Sequence, residues 1–396
     1  MKGSLIKRGK TSWRYRFDGP PFSTGERNQI NGTIKAKTKS DAETELRRIM
    51  AEHDGGSLIE PSRITVAEYL GEWLRHVGAK LASTTVERYA QACNKHIVPE
   101  LGCIRLQKLQ PMEIQRFLDK KKVDGRLDGN GGLDARTVLH IHRILKRALA
   151  QAVGWRYLKA NPMTGVEAPK PQKARIEFLD KTETAKLLKA AQTRVIYPII
   201  LLAVTTGMRR GEILGLSWSD IDFDKSGGPS LTVRQALVET SEKGLEYKKP
   251  KSEAGERVIT LPNITVQELR RHRARQSEYF LKLGVRVGND GPVFATLKDD
   301  DTIGPMTPRS LTKSFTRLIK DVDIPQITLH GLRHSHITHL LMDNAPIKLV
   351  SARAGHSTVA ITLDVYGHVL PDKQQEVADS YGDALSLALA EQDRNG

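Results

Sequence analysis

Leu329-His330-Gly331-Leu332-Arg333-His334-Ser335-His336 opens the stretch on which the reading of this chain turns. A mostly apolar or small run leads from it to Arg353-Ala354-Gly355-His356-Ser357 and then to Asp364-Val365-Tyr366-Gly367-His368. His330 and Arg333 stand three apart, so on a helix they share one face. Tyr366 follows His356 by ten residues. A base, a permanent cation, a second imidazole and a phenol gathered in so short a segment are the inventory of phosphoryl transfer to a tyrosine.

Working outward toward the N-terminus, an apolar run over 195–204 enters Thr-Thr-Gly-Met-Arg-Arg-Gly-Glu-Ile-Leu, residues 205–214. Gly207 suits a tight turn. Arg209 and Glu212 then stand three apart, where the carboxylate holds the guanidinium in place. Strands are expected over 230–235, 245–249 and 257–261, the last two joined as a hairpin across 250–256, with Lys251 on it. Helical periodicity is expected over 264–283, 307–322 and 375–390.

The first forty residues hold ten Lys or Arg against Asp18 and Glu26. In Trp13-Arg14-Tyr15-Arg16-Phe17 the alternation sends three aromatics to one strand face and two guanidiniums to the other. Lys35 and Lys37 extend the basic surface, and Ser40-x-x-Glu43 reads as a capping box opening a helix with Ala42, Leu46, Ile49 and Met50 inward. Such a face serves equally as DNA contact or as ordinary solvated charge. Beyond a linker around Pro61, helices are expected over 65–77, 84–97, from Pro111 onward, and through Val138, Ile141, Leu145, Ala148 and Ala152. Their outward Arg88, Arg143 and Arg147 suit a phosphate backbone or plain solubility.

Lys and Arg outnumber Asp and Glu by 62 to 46 in 396 residues, a formal charge of +16 with a pI near 9.7. That balance favours a polyanionic partner, nucleic acid first. No apolar run approaches the ~18–20 residues that span a bilayer, and the N-terminus lacks a signal-peptide core, so a cytoplasmic, nucleoid-associated protein is expected. Cys93 and Cys103 lack metal-ligand spacing and are read as reduced thiols. Asp299–Asp301 reads as a solvated turn. His330, His334 and His336 lack the partner that would complete a zinc site, so no metal and no cofactor are expected. The fold class is multidomain: a small α+β domain of three strands and a helix at 1–60, an all-α domain at 64–165, and a mainly α domain with a small antiparallel sheet at 175–396.

Five motifs stand in order: Thr-Gly-Met-Arg-Arg-Gly-Glu, Pro-Lys-Ser with a following Gly and Arg, His-Gly-Leu-Arg-His, Gly-His-Ser, and Asp-Val-Tyr-Gly-His. In this order the chain resembles the tyrosine recombinases, the phage-integrase family of DNA strand-exchange enzymes. The resemblance implies the lambda-type layout of arm-binding, core-binding and catalytic domains. It also implies that Arg209, Lys251, His330, Arg333 and His356 surround the scissile phosphate while Tyr366 attacks it.

The roles follow from the chemistry. Two guanidiniums meet the charge that develops on the non-bridging oxygens, His330 takes the phenol proton, and His356 donates to the phosphate; Lys251, which fits the family pattern better than the neighbouring Lys248 and Lys249 that remain alternatives, protonates the leaving 5′-oxygen. Glu212 is a support. His334, His336 and His368 are expected to be structural or exposed, and Tyr381 is rejected as nucleophile. Ala354 departs from the Leu that the family often carries before Gly-His, a packing change. The partners implied are double-stranded attachment sites, a homotetramer in the synaptic complex, and accessory DNA-bending or directionality proteins. The C-terminal helix docks either on a neighbouring protomer or on its own domain. Relaxation of the type IB topoisomerase kind and a catalytically silent DNA-binding protein are the alternatives.

Overall fold

The computed structural model describes residues 3–19, 28–54, 61–172, 177–250, 253–298, 302–367 and 374–395. The chain forms two compact units, Met1–Gln172 and Lys173–Gly396.

The first unit opens with β1 (Gly3–Lys7), β2 (Ser12–Asp18) and β3 (Gln29–Lys35), antiparallel in that order. The alternation of β2 buries Trp13 and Phe17, and Ile34 lies opposite Trp13. Both pack with Ala42 and Leu46 of α1 (Lys39–Asp54), a small core beneath the sheet. The cap of α1 differs from the expected Ser40-x-x-Glu43 box. Thr38 supplies its hydroxyl to the Asp41 N–H at 3.1 Å, which draws Ser40 into the first turn, and Glu43 pairs with Lys39 instead of reaching back.

A second core is built from α2 (Val66–Gly78), α3 (Ser83–Ala92), a π-helical turn over Cys93–Ile97, α4 (Val98–Leu101), α5 (Pro111–Val123) and α6 (Ala135–Gly154). Thr65 and Glu68 form a reciprocal cap on α2, and Pro111 occupies the first turn of α5, where its missing N–H costs nothing. Tyr69 is fully buried and its hydroxyl donates to the Ala148 carbonyl at 2.6 Å, joining α2 to α6. Cys93 is buried in this core, and Cys103 is exposed.

The second unit is mainly helical with small antiparallel sheets. It runs through α7 (Lys181–Ala191), α8 (Tyr197–Thr206), the short α9 (Arg210–Leu214), β4 (Ile221–Asp222), β5 (Ser230–Val233), β6 (Ala236–Thr240), β7 (Gly244–Lys248), β8 (Arg257–Thr260) and α10 (Asn263–Lys282). It continues with β9 (Ala295–Leu297), β10 (Ile303–Pro305), α11 (Pro308–Lys320), α12 (Leu329–Met342), α13 (Ile347–Ala354), α14 (Val359–Tyr366) and α15 (Gln374–Asn395).

Here the expected hairpin is corrected. β7 pairs with β6, and β8 pairs with β5 in a β4-β5-β8 sheet. A short turn closes β6 on β7 with Thr240 accepting from the Lys243 N–H, so the local pairing takes β7, and β8 joins β5 in the other sheet. Lys251 lies outside the described residues, as do Asp299–Asp301 and His368. Among the described residues no helix is long and apolar enough to cross a membrane.

Candidate active site

Helix α8 ends at Gly207 in the left-handed conformation (φ 65°), and a Cβ there would stand 2.6 Å from the His336 ring. Glycine is therefore required twice over, for the turn and for the close approach. The turn delivers Arg209 to the N-cap of α9. Its backbone N–H donates to Glu212 at 2.9 Å, its Nη1 donates to the same carboxylate at 2.7 Å, and its Nη2 donates to the Gly355 carbonyl at 3.2 Å. Arg209 thus reaches Glu212 from the cap position, not from a shared helical face.

A third guanidinium completes this arrangement. Arg257, at the start of β8, donates to Glu212 at 2.9 Å, to the Arg353 carbonyl at 2.8 Å and to the Gly255 carbonyl at 3.1 Å. It ties the strand that follows the Lys251 segment to the end of α13 and, through Glu212, to Arg209. Burial by itself pushes the Glu212 carboxyl up, but the bond and charge of Arg257, with the N–H and charge of Arg209, prevail and hold it below the usual carboxylate range. Gly355, left-handed at φ 68°, ends α13 and turns the chain into His356, whose Nδ1 lies 2.8 Å from the Thr362 hydroxyl of α14.

Helix α12 presents His330, Arg333 and His334 toward the same region. Arg333 is 2 % exposed, and its Nη1 donates to the Gly207 carbonyl at 2.8 Å. Its Nη2 is buried with no hydrogen-bond partner among the described residues. Burial, then the charge of Arg209, lower its pKa to about 10, so it remains a cation at neutral pH. Tyr366, at the end of α14, is 2 % exposed and packs with Ile337, Leu341, Val350 and Ala354. Burial pushes its pKa up to about 12 against the opposing pull of Arg333. At pH 7 its ionisation then costs roughly 7 kcal/mol, against about 4 for an ordinary phenol.

The partner of that phenol is His334, whose Nδ1 lies 2.6 Å from the Tyr366 oxygen. The His330 ring stacks edge-on against His334 with centroids 4.8 Å apart. Burial is the first cause of the low pKa of each imidazole here: His334 at about 4, helped by His330 and Arg333; His356 at about 4, helped by Arg333 and Arg209; and His330, shifted down with help from Arg333 and Arg209. In the DNA-free protein all three are neutral at pH 7.

The structure therefore gathers Arg209, His330, Arg333, His356 and Tyr366 and leaves Lys251 undescribed. Of the neighbouring lysines, Lys248 pairs with Glu246 at 3.4 Å and Lys249 is exposed. Three contributors were missed as site residues. His334 was set aside as structural or exposed, although it lies one turn beyond His330 on the same helix. The sequence marks Arg257 only as part of a motif. Arg353 precedes the Gly-His pair and donates to His336 at 3.3 Å and to the Thr205 and Thr260 carbonyls, pinning α13 in place. Among the described residues no group of three or more His, Cys, Asp or Glu is placed to hold a metal ion.

In the first unit Arg14, Arg16, Lys35 and Lys37 are exposed around the sheet. Arg88 and Arg143 line an open cavity of about 630 Å³ with Lys95 and Arg136. Arg147 turns onto Tyr89, donating to its hydroxyl at 3.0 Å with its guanidinium 5.8 Å from the ring centroid.

Comparison with known proteins gives this geometry its class. Residues 177–373 match the phage integrase family model, and residues 65–122 match the N-terminal SAM-like domain of phage integrases. A XerC-like tyrosine recombinase of Caldanaerobacter subterraneus subsp. tengcongensis is 27 % identical over 401 residues, covering 96 % of this chain and 98 % of that protein. The ICEBs1 integrase of Bacillus subtilis is 29 % identical over 299 residues, 74 % of this chain and 76 % of its own. Among solved structures, the Tn1549 transposon integrase in complex with a circular intermediate DNA has a TM-score of 0.63 at 21 % identity, covering 81 % of this chain and 99 % of that one. A lambda integrase dimer bound to a core site has a TM-score of 0.52 at 18 % identity, covering 93 % and 95 %. The structural likenesses establish an integrase fold. The chain belongs to the phage integrase family, and it is a tyrosine-type site-specific DNA recombinase of a phage or other mobile element. Relaxation without defined sites and a silent DNA-binding role are not favoured.

Proposed function

We propose that the recombinase cleaves and rejoins DNA by attack of Tyr366 on a phosphodiester held by Arg333, Arg209, His330 and His356, giving a 3′-phosphotyrosyl link. The observation that carries this reading is Arg333: a guanidinium 2 % exposed, with one nitrogen buried and unpartnered, whose charge acts on the phenol of Tyr366. Leaving a buried donor unpaired costs about 1–3 kcal/mol, and more when the donor is charged, a cost that an arriving phosphate oxygen removes. Arg209 presents the second planar donor from its cap on α9. The phenol, once bonded to phosphorus, carries the energy of the broken phosphodiester, so a 5′-hydroxyl reverses the step without ATP. Lys251 is the proposed acid for the 5′-oxygen, supported by its place after β7, ahead of the Arg257 anchor.

In the same reading residues 1–60 bind arm-type DNA through Arg14, Arg16, Lys35 and Lys37. Residues 64–165 clasp the core site through Arg88, Arg143 and Arg147, and residues 175–396 are catalytic. The partners are attachment-site duplexes, with four protomers in the synaptic complex and accessory DNA-bending or directionality proteins on a nucleoid-associated enzyme in the cytoplasm. A lambda integrase tetramer bound to a Holliday junction shares the fold at a TM-score of 0.54 and 19 % identity, which supports the assembly.

The test is a nicked suicide duplex carrying the attachment site. Wild type accumulates a covalent adduct and Tyr366→Phe accumulates none while still binding. An adduct from Tyr366→Phe at the wild-type rate removes Tyr366 as nucleophile.

A further inference from the structure

The buried phenol of Tyr366 has one hydrogen-bond partner among the described residues, His334 Nδ1 at 2.6 Å. A phenol that is protonated and shut away from water directs its O–H at the available lone pair. A neutral imidazole supplies that lone pair when its ring proton sits on Nε2. His330, the imidazole that the motif spacing puts forward, packs edge-on against His334, and the phenol's hydrogen bond goes to His334 instead.

We propose that His334 is a catalytic residue of the cleavage step, the general base that takes the Tyr366 proton. The inference rests on Tyr366 being the nucleophile. In the forward step the phenolic proton passes to His334 Nδ1, the Tyr366 oxygen bonds to phosphorus, and the bond from phosphorus to the 5′-oxygen breaks. That oxygen takes its proton from the separate acid proposed above. In the return step a 5′-hydroxyl gives its proton to that acid's conjugate base and bonds to phosphorus, and the departing phenolate recovers its proton from His334. No oxidant, reductant or co-reactant enters.

The environment suits a base that is silent until DNA arrives. From its own helix His334 is faced by His330 and Arg333, and across from it stand Tyr366 on α14 and His356 ahead of that helix. Helix α8, packed on α12, carries Tyr197 as its one titratable side chain, and α13 carries Lys348 and Arg353, the latter turned to His336. No carboxylate touches the imidazole among these groups. Burial, with the neighbouring His330 and the charge of Arg333, keeps His334 neutral in the free protein. A bound phosphodiester brings the missing negative charge and raises the imidazole's affinity for a proton at the moment of attack.

The test uses the full-length protein and the suicide duplex, with single-turnover cleavage followed from pH 6 to pH 10 for wild type, His334→Ala and His334→Asn. Asparagine places an acceptor near the Nδ1 position and keeps the hydrogen bond, yet it takes no proton. Both variants are expected to cleave 10²- to 10⁴-fold more slowly at pH 7, the usual worth of a positioned base. Both deficits are expected to shrink steadily as rising pH ionises the phenol without help. A deficit that is the same at every pH marks a structural role and overturns the proposal. So does His334→Asn cleaving at the wild-type rate, which reduces His334 to a tether, and so does faster cleavage by His334→Ala, which makes it a restraint. Tyr366→Phe is run in parallel: an adduct there refutes the nucleophile itself, a failure distinct from any of these.

Discussion

Glu212 is the residue on which the active-site cations depend. It is 5 % exposed and accepts from Arg209 and Arg257 together, so one carboxylate neutralises two guanidiniums whose mutual repulsion would otherwise spread the site. Removing one member of a buried charged pair costs about 3–5 kcal/mol, because the partner, here Arg257, stays buried without compensation. Glu212→Gln is therefore expected to lower unfolding stability by about 3 kcal/mol in urea titrations. It is also expected to slow adduct formation while leaving affinity for the duplex nearly unchanged, since the cations proposed to contact DNA in the first unit are untouched. Stability within about 0.5 kcal/mol of wild type would show that the carboxylate's charge is not what holds the pair. The Arg209–Glu212 partnership was legible from its spacing of three, as were the Arg333 and Tyr366 positions from their motifs. Arg257 was harder to read, because its partners lie 45 and 96 residues away and only tertiary folding brings them together.

At the scale of elements, the site is made of helix ends. α8 stops at Gly207, Arg209 caps the start of α9, α13 stops at Gly355, and α14 ends on Tyr366. Gly355 is the joint most sensitive to change: it is left-handed at φ 68°, and a Cβ there would meet Arg257 Nη1 at 2.7 Å and the Ala254 carbonyl at 3.1 Å. Gly355→Ala combines backbone strain with displacement of the Arg257 guanidinium, so a loss of about 1–3 kcal/mol is expected, together with slower cleavage from a misplaced His356. Thermal unfolding and single-turnover cleavage of one preparation check both halves, and an unchanged cleavage rate would detach His356 from this turn. Helices and their caps were largely readable from periodicity and capping residues, since both signals are local. Strand pairing was not. β6, with Glu239 and Thr240 in a short polar-ended run, carried too little alternation to stand out, and without it β7 was assigned to β8.

For the whole molecule, the net charge and the buried histidines make two separate demands on solution conditions. A chain of +16 that neutralises several phosphates should lose duplex affinity steeply with salt. The slope of log affinity against log salt is expected to fall by about 2 units when Arg14 and Arg16 are both changed to Ala, and an unchanged slope takes that strand face out of the interface. The second demand is acid lability. His336 is 9 % exposed, accepts from Arg353 Nε at 3.3 Å and donates to the Val204 carbonyl, so it is locked in the neutral form. Burial, then the Arg353 charge, lowers its pKa to about 3, while the unfolded chain holds an ordinary imidazole near 6.5. Between those two values the unfolded state binds a proton that the native state refuses, so stability falls as pH drops below about 6.5. From pH 6.5 to pH 5 this one group withdraws about 2 kcal/mol. His334 and His356 act in the same direction, so the contribution of His336 is isolated by difference. His336→Gln keeps an acceptor for Arg353 and has no proton to gain. It should start less stable at pH 7 yet lose about 2 kcal/mol less than wild type between pH 6.5 and pH 5 in matched urea titrations. The shared contributions of His334 and His356 cancel in that comparison, and an equal acid loss in the two proteins would mean that His336 is not the group being titrated.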